Sequence, residues 1–195
     1  MNESQFVELV RQNASNHTIL ERLPNLGLSD AWLVAGSLFQ TVWNCLTSQS
    51  PTFGIKDYDI FYFDDRDLSW QAEDEVIKRA HELFADLDVS IEVRNQARVH
   101  LWYADKFGMA YPPLSSAAEA IDRFLATACQ VGIKPDGQSG IIVYAPSGFD
   151  DLERMIIRPN RCTNFVPDVY VSKAARWKAV WPELTIIPYE KALSS

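Results

Sequence analysis

Asp57 and Asp59 stand one residue apart inside the run Asp-Tyr-Asp-Ile-Phe-Tyr-Phe (57–63), whose aromatic and branched side chains predict a central β-strand. Residues i and i+2 of a strand point to one face, so the two carboxylates project together. Paired carboxylates repel strongly away from water, and a cation between them removes the conflict. Oxygen-only donors favour Mg²⁺, with Mn²⁺ as an alternative occupant; Mg²⁺ is commonly held by one or two carboxylates together with substrate phosphates. Glu92 offers a third carboxylate. It lies on the polar face of a predicted strand in which Leu87, Val89, Ile91 and Val93 alternate with Asp88, Ser90 and Glu92. Upstream, Gly36-Ser37 falls where the apolar stretch Leu33-Val34-Ala35 gives way to a helical pattern. A glycine there lets the backbone approach a ligand, and the first N–H groups of a helix attract phosphate. This set suits phosphoryl or nucleotidyl transfer. A metal would neutralise a triphosphate and stabilise the departing pyrophosphate, and in a two-metal version a second ion would lower the pKa of the attacking hydroxyl.

The elements that must hold these residues follow from periodicity. Phe6, Leu9, Val10, Ala14, Leu20 and Leu23 predict one helix over 4–23, stopped by Pro24. Leu38, Val42, Cys45 and Leu46 continue a helix from Ser37, and 47–56 is a loop rich in Ser, Pro, Thr and Gly. Ser69 caps a helix with Val76, Ile77, Ala80, Leu83 and Phe84 on one stripe. After Pro112-Pro113, the capping box Ser116–Glu119 opens a helix expected to contain Ile121, Leu125 and Ala128. Gly132–Ser139 reads as turns, 141–145 and 155–157 as strands, and 168–181 as a helix ending before Pro182. The expected organisation is a catalytic region over 1–110 and an α/β extension over 111–195 that packs on it and selects the acceptor.

Composition narrows the function. A hydrophobic fraction of 47% with 23% charged residues is ordinary for a globular chain and argues against disorder. The 195 residues suffice for a core without metal or disulfide staples. The net charge is −8, and all of it lies in 1–110, with 9 basic and 17 acidic groups against 9 and 9 in 111–195. Such a field disfavours long nucleic acids but admits a small anion accompanied by a divalent cation. Cys45, Cys129 and Cys162 are far apart and form no CxxC pair, so a zinc site is not expected and the thiols read as reduced. The start of the chain lacks the pattern of a signal peptide, and no apolar run approaches the ~20 residues needed to cross a bilayer. A cytoplasmic protein with no membrane partner is the expectation. GxxxxGK[ST] and GxSxG motifs are absent.

Gly-Ser at a helix start, then Asp-x-Asp between hydrophobic neighbours, then a third acid on another strand resembles the nucleotidyltransferase superfamily with the DNA polymerase β-like fold. The segments GSLFQTVWN, GIKDYDIFYFD, IEVRNQARVHLWY and PPLSSAAEAIDRFLAT are similar to a bacterial group within it, over residues 30–185. The resemblance implies an α/β (α+β) fold with a mixed sheet flanked by helices, Mg²⁺, and a nucleoside triphosphate donor. It carries Gly36 and Ser37 to the phosphate loop, Asp57 and Asp59 to the metal, and Glu92 to the third carboxylate. The 19 residues between Ser37 and Asp57 exceed the spacing in many members, and the insert 48–56 is a candidate substrate loop.

Other residues carry two readings each. Lys56 is either a phosphate contact or a surface lysine. Arg98, sharing a face with Arg94 if 94–100 is helical, is either a phosphate clamp or a counter-charge to nearby acids. His100 has no cysteine or second histidine at ligand spacing. Arg158-Pro159-Asn160-Arg161 either contacts a base or acceptor or is a polar loop, and Trp70, Trp102, Trp177 and Trp181 either stack on a base or fill the core. The function expected is Mg²⁺-dependent transfer of a nucleoside monophosphate from an NTP to a hydroxyl on a small molecule or protein. The alternative is a non-catalytic nucleotide-binding or protein-interaction module on the same fold.

Overall fold

The alternation expected in the acidic strand sets the layers of the molecule. The computed structural model describes residues 1–162 and 164–189. Its main sheet has five strands in the order β3-β2-β1-β4-β5, formed by β1 (Ala31–Val34), β2 (Asp57–Tyr62), β3 (Ser90–Asn95), β4 (Gly132–Pro135) and β5 (Ile141–Tyr144). β2 and β3 run parallel, and the other pairs are antiparallel. Tyr58, Ile60 and Tyr62 of β2 are buried, whereas Asp57, Asp59 and Phe61 face the opposite, half-open side.

Helices α1 (Glu3–Val10), α2 (Ala14–Arg22), α3 (Gly36–Leu46) and α4 (Trp70–Leu83) close the apolar face. Phe6, Val10, Ile19, Val42, Val76 and Ala80 join Leu33, Tyr58 and Ile60 in one buried cluster. The helix expected over 4–23 is two helices. Asn13 interrupts it, because its carboxamide oxygen accepts from the N–H of Ser15 and Asn16 (3.0 and 3.3 Å) to cap α2, while its amide donates to Thr41 Oγ1 and Tyr58 Oη. This buried polar residue ties both helices to the underside of β2.

On the acidic side the cover is thinner. α5 (Val99–Phe107) and α6 (Ala117–Ile121) pack there, with Ala117 and Ile121 against Trp32 and Val34. The Ser116 hydroxyl caps α6 by accepting from Glu119 N–H, but the helix ends at Ile121, and Leu125 and Ala128 lie in the turns that follow. α7 (Asp150–Glu153), a two-stranded parallel sheet of β6 (Ile156–Ile157) and β7 (Thr185–Ile186), and α8 (Pro167–Val180) complete the chain. β4 arises from the segment expected to be turns. It pairs with β1 and β5, so residues 111–195 contribute two strands to the same sheet instead of only packing on a finished catalytic region.

The segment 94–100 is not one helix. β3 runs through Asn95, whose side chain accepts from Ala97 N–H and starts a 3₁₀ turn (Gln96–Arg98). Arg94 therefore stays on the strand, and Arg98 turns inward. The Arg98 guanidinium pairs with Glu73 of α4 and donates to the Leu68 carbonyl at 2.9 Å, while the other Glu73 oxygen accepts from Asn95 N–H at 2.8 Å. This corrects the phosphate-clamp reading: Arg98 is buried and committed to joining α4 to the end of β3. Removing one member of a buried pair strands the other charge. Arg98→Ala should lower unfolding free energy by roughly 3–5 kcal/mol in urea titration. A stable Arg98→Ala protein with weakened triphosphate binding would restore the clamp.

Candidate active site

The parallel register of β2 and β3 pairs Asp59 with Glu92 and Asp57 with Ser90. The three acids therefore belong to one face of two adjacent strands. β1 delivers the turn to the same place. After Val34, Ala35 adopts φ 57° and ψ −126°, outside the ordinary range for a residue with a side chain, and α3 begins at Gly36. Strain of this kind costs on the order of 1–3 kcal/mol and persists where the surroundings fix it; here the Ala35 N–H donates to the Val131 carbonyl at 3.2 Å. Gly36 meets the acids closely. A Cβ added to it would stand 2.9 Å from Gln40 Nε2 and 3.9 Å from Asp57 Oδ1.

A cleft of about 370 Å³ opens between these elements. Gly36, Gln40, Asp57 and Asp59 line it together with Lys173 and Arg176 of α8. The two cations were missed in reading the sequence. Their signal was present, since i and i+3 of the helix expected over 168–181 share a face, but only the tertiary fold shows that both line the cleft of Asp57 and Asp59.

Electrostatics mark Asp59. Burial, then the neighbouring charges of Asp57 and Glu92, push its carboxyl up to about 7, and Lys173 and Arg94 offset part of this. A proton relieves the conflict in the bare protein, and a cation would do the same.

The other expected residues are distributed unevenly. Ser37 is wholly buried, its hydroxyl has no hydrogen-bond partner among the described residues, and its carbonyl accepts from Thr41 Oγ1 and Asn16 Nδ2. The turn thus reaches the cleft through Gly36 and not through the Ser37 side chain. Glu92 is exposed beside Asp59 with its carboxylate 3.7 Å from Arg94, and it is not part of the cleft wall. Lys56 is exposed just ahead of β2 and also lies outside the wall. The 48–56 insert folds back on the body: Asn44 Nδ2 donates to the Pro51 and Phe53 carbonyls, and Gly54 sits against Val180 and Trp181. Trp177 and Trp181 are core, and Trp70 is exposed. Within 158–161, Arg158 pairs with Asp151, and Asn160 donates to the Asp122 and Phe124 carbonyls. Cys45, Cys129 and Cys162 are free thiols.

Whether the residues fit Mg²⁺ turns on the donor set. Among the described residues no three His, Cys, Asp or Glu side chains form a ready metal cage. Two same-face carboxylates, one of them raised to about 7 by burial and its acidic neighbours, fit an ion completed by water and substrate phosphates.

A family model described as nucleotidyltransferase matches residues 21–186, and the chain belongs to that family. A solved structure described as revealing a CCA-adding enzyme head domain shares the fold, with a TM-score of 0.77, 24% sequence identity, and coverage of 95% of this chain and 96% of that one. No curated protein matches. Among the described residues no helix is long and apolar enough to cross a membrane.

Asp59 also makes a prediction about stability. In the metal-free protein the folded state retains a proton that the unfolded chain releases near its ordinary value of 3.8, so folding stability should fall as pH rises from about 4 to about 7. Asp59→Asn should remove that slope and stabilise the protein at pH 8 by on the order of a few kcal/mol, measured by urea denaturation across pH. A wild-type profile identical to that of Asp59→Asn would contradict the assigned shift.

Proposed function

We propose that the protein transfers a nucleoside monophosphate from an NTP to a hydroxyl acceptor, with Mg²⁺ bound by Asp57 and Asp59. The observation that carries this reading is the cleft itself: two carboxylates on one strand face, the Gly36 turn beside Asp57 Oδ1, and two cations in the same lining. Family membership supports nucleotidyl transfer as the class of chemistry.

The roles follow from position. The first turn of α3 supplies backbone N–H groups for phosphate, and Gly36 leaves room for close approach. Lys173 and Arg176 bind the negative triphosphate. The bound ion would neutralise phosphate charge and stabilise the leaving group. The acceptor oxygen attacks the α-phosphorus, the bond from that phosphorus to the bridging oxygen breaks, and pyrophosphate leaves with the electron pair. Glu92, beside Asp59 in register, takes the hydroxyl proton either directly or through water. The net charge of −8 favours a small-molecule or protein acceptor over a long nucleic acid.

Asp57→Asn and Asp59→Asn should each abolish Mg²⁺-dependent pyrophosphate release, with unfolding still cooperative. Lys173→Ala should raise the KM for the NTP about tenfold, as for loss of one charge-assisted contact of roughly 1.5 kcal/mol, with a smaller effect on kcat. Chelation with EDTA should stop release, and Mg²⁺ should restore it. Full activity in either aspartate variant would overturn the catalytic assignment. A melting shift with Mg·NTP but no pyrophosphate release over a panel of acceptors would point to the non-catalytic module.

A further inference from the structure

A second chamber adjoins the acidic cleft. Its volume is about 260 Å³, and Phe61, Phe124, Leu125 and Lys173 belong to both walls. Its lining is rich in aromatics: Trp102, Tyr103 and Phe107 of α5 gather with Tyr111. The Tyr103 ring lies 4.5 Å from that of Tyr111 and 4.6 Å from that of Phe107. Arg94, Arg123 and Lys173 are in the lining, and no carboxylate is among its described residues. In a chain with a net charge of −8, that local sign is opposite to the whole. Asn164, on the same wall and almost wholly buried, has a carboxamide oxygen with no hydrogen-bond partner among the described residues.

Together the aromatic and cationic residues of the lining suit a planar ring attached to negative charge. An aromatic lining favours flat π-systems whatever their identity. The cations favour an anionic substituent. We propose that this chamber is a nucleobase subsite, holding the heteroaromatic ring of a nucleotide whose reacting group lies in the acidic cleft across Phe61. The inference rests on the reading of the cleft as a nucleotidyl-transfer site and adds where the ring goes. The ring belongs either to the NTP donor or to a nucleotide acceptor.

The test measures binding of three probes to the full chain by calorimetry with Mg²⁺: each of the four common NTPs, inorganic tripolyphosphate, and the corresponding nucleoside monophosphates. Trp102→Ala and Phe107→Ala are compared with wild type. Phe107 is 45% exposed, so its removal leaves a folded control if Trp102→Ala proves unstable. If the chamber holds the donor base, the variants weaken NTP binding about tenfold, leave tripolyphosphate unchanged, and NTP displaces the monophosphate. If it holds an acceptor base, monophosphate binding weakens by the same factor, NTP binding is unchanged, and the two ligands bind together. The proposal is overturned if folded variants bind every NTP and monophosphate as wild type does, or if wild type binds neither. The underlying cleft reading fails separately, if Asp57→Asn leaves Mg·tripolyphosphate binding untouched.

Discussion

Repulsion among acids that the backbone forces together is the constraint around which this structure is arranged. The parallel register of β2 and β3 sets Asp59 beside Glu92, and the strand period sets Asp57 on the same face. A chain selected only for stability would place apolar residues at such partly buried positions. Here the opposite arrangement is maintained, with Asp59 raised to about 7 in the bare protein. Two neighbouring elements bring groups that bear on this charge, the strained turn at Ala35-Gly36 and the Lys173–Arg176 face of α8.

The scaffold that holds the acids in place is polar as well as apolar. Asn13 ties α2 and α3 to the hidden side of β2 through Thr41 and Tyr58, and Glu73 with Arg98 ties α4 to the end of β3. Both networks sit behind or beside the acidic strands and fix their positions without entering the cleft. The C-terminal half is equally involved. β4 and β5 extend the sheet from β1, and α8 supplies the cationic wall, so the cleft is made from both ends of the chain.

Much of this was legible in the amino-acid sequence. The acidic strand, the Gly-Ser turn and the Ser69-capped helix have strong local signals, and each forms where its pattern says, whereas the strand read from the alternation over 87–93 forms later, at 90–95. The failures share a physical cause. β4 is four residues long, begins with Gly132 and ends with Pro135, so turn chemistry masks a strand that exists only because β1 and β5 flank it. Asn13 and Asn95 each use a side-chain oxygen to end one element and start the next, which periodicity does not register. Ser37 was read from its motif as a phosphate contact, but packing under α3 buries it. Lys173 and Arg176 join the cleft only through the tertiary fold, more than a hundred residues from Asp57 and Asp59 in sequence.

The catalytic role of Asp57 and Asp59 depends on the two carboxylates being held in a conflict that a cation resolves. Carbon-13 NMR titration of the Asp59 carboxyl measures this directly. The metal-free protein should show a titration near pH 7, and saturating Mg²⁺ with an NTP should drive it down into or below the usual carboxylate range. A carboxyl that titrates near 4 in the bare protein and does not respond to Mg²⁺ would contradict it.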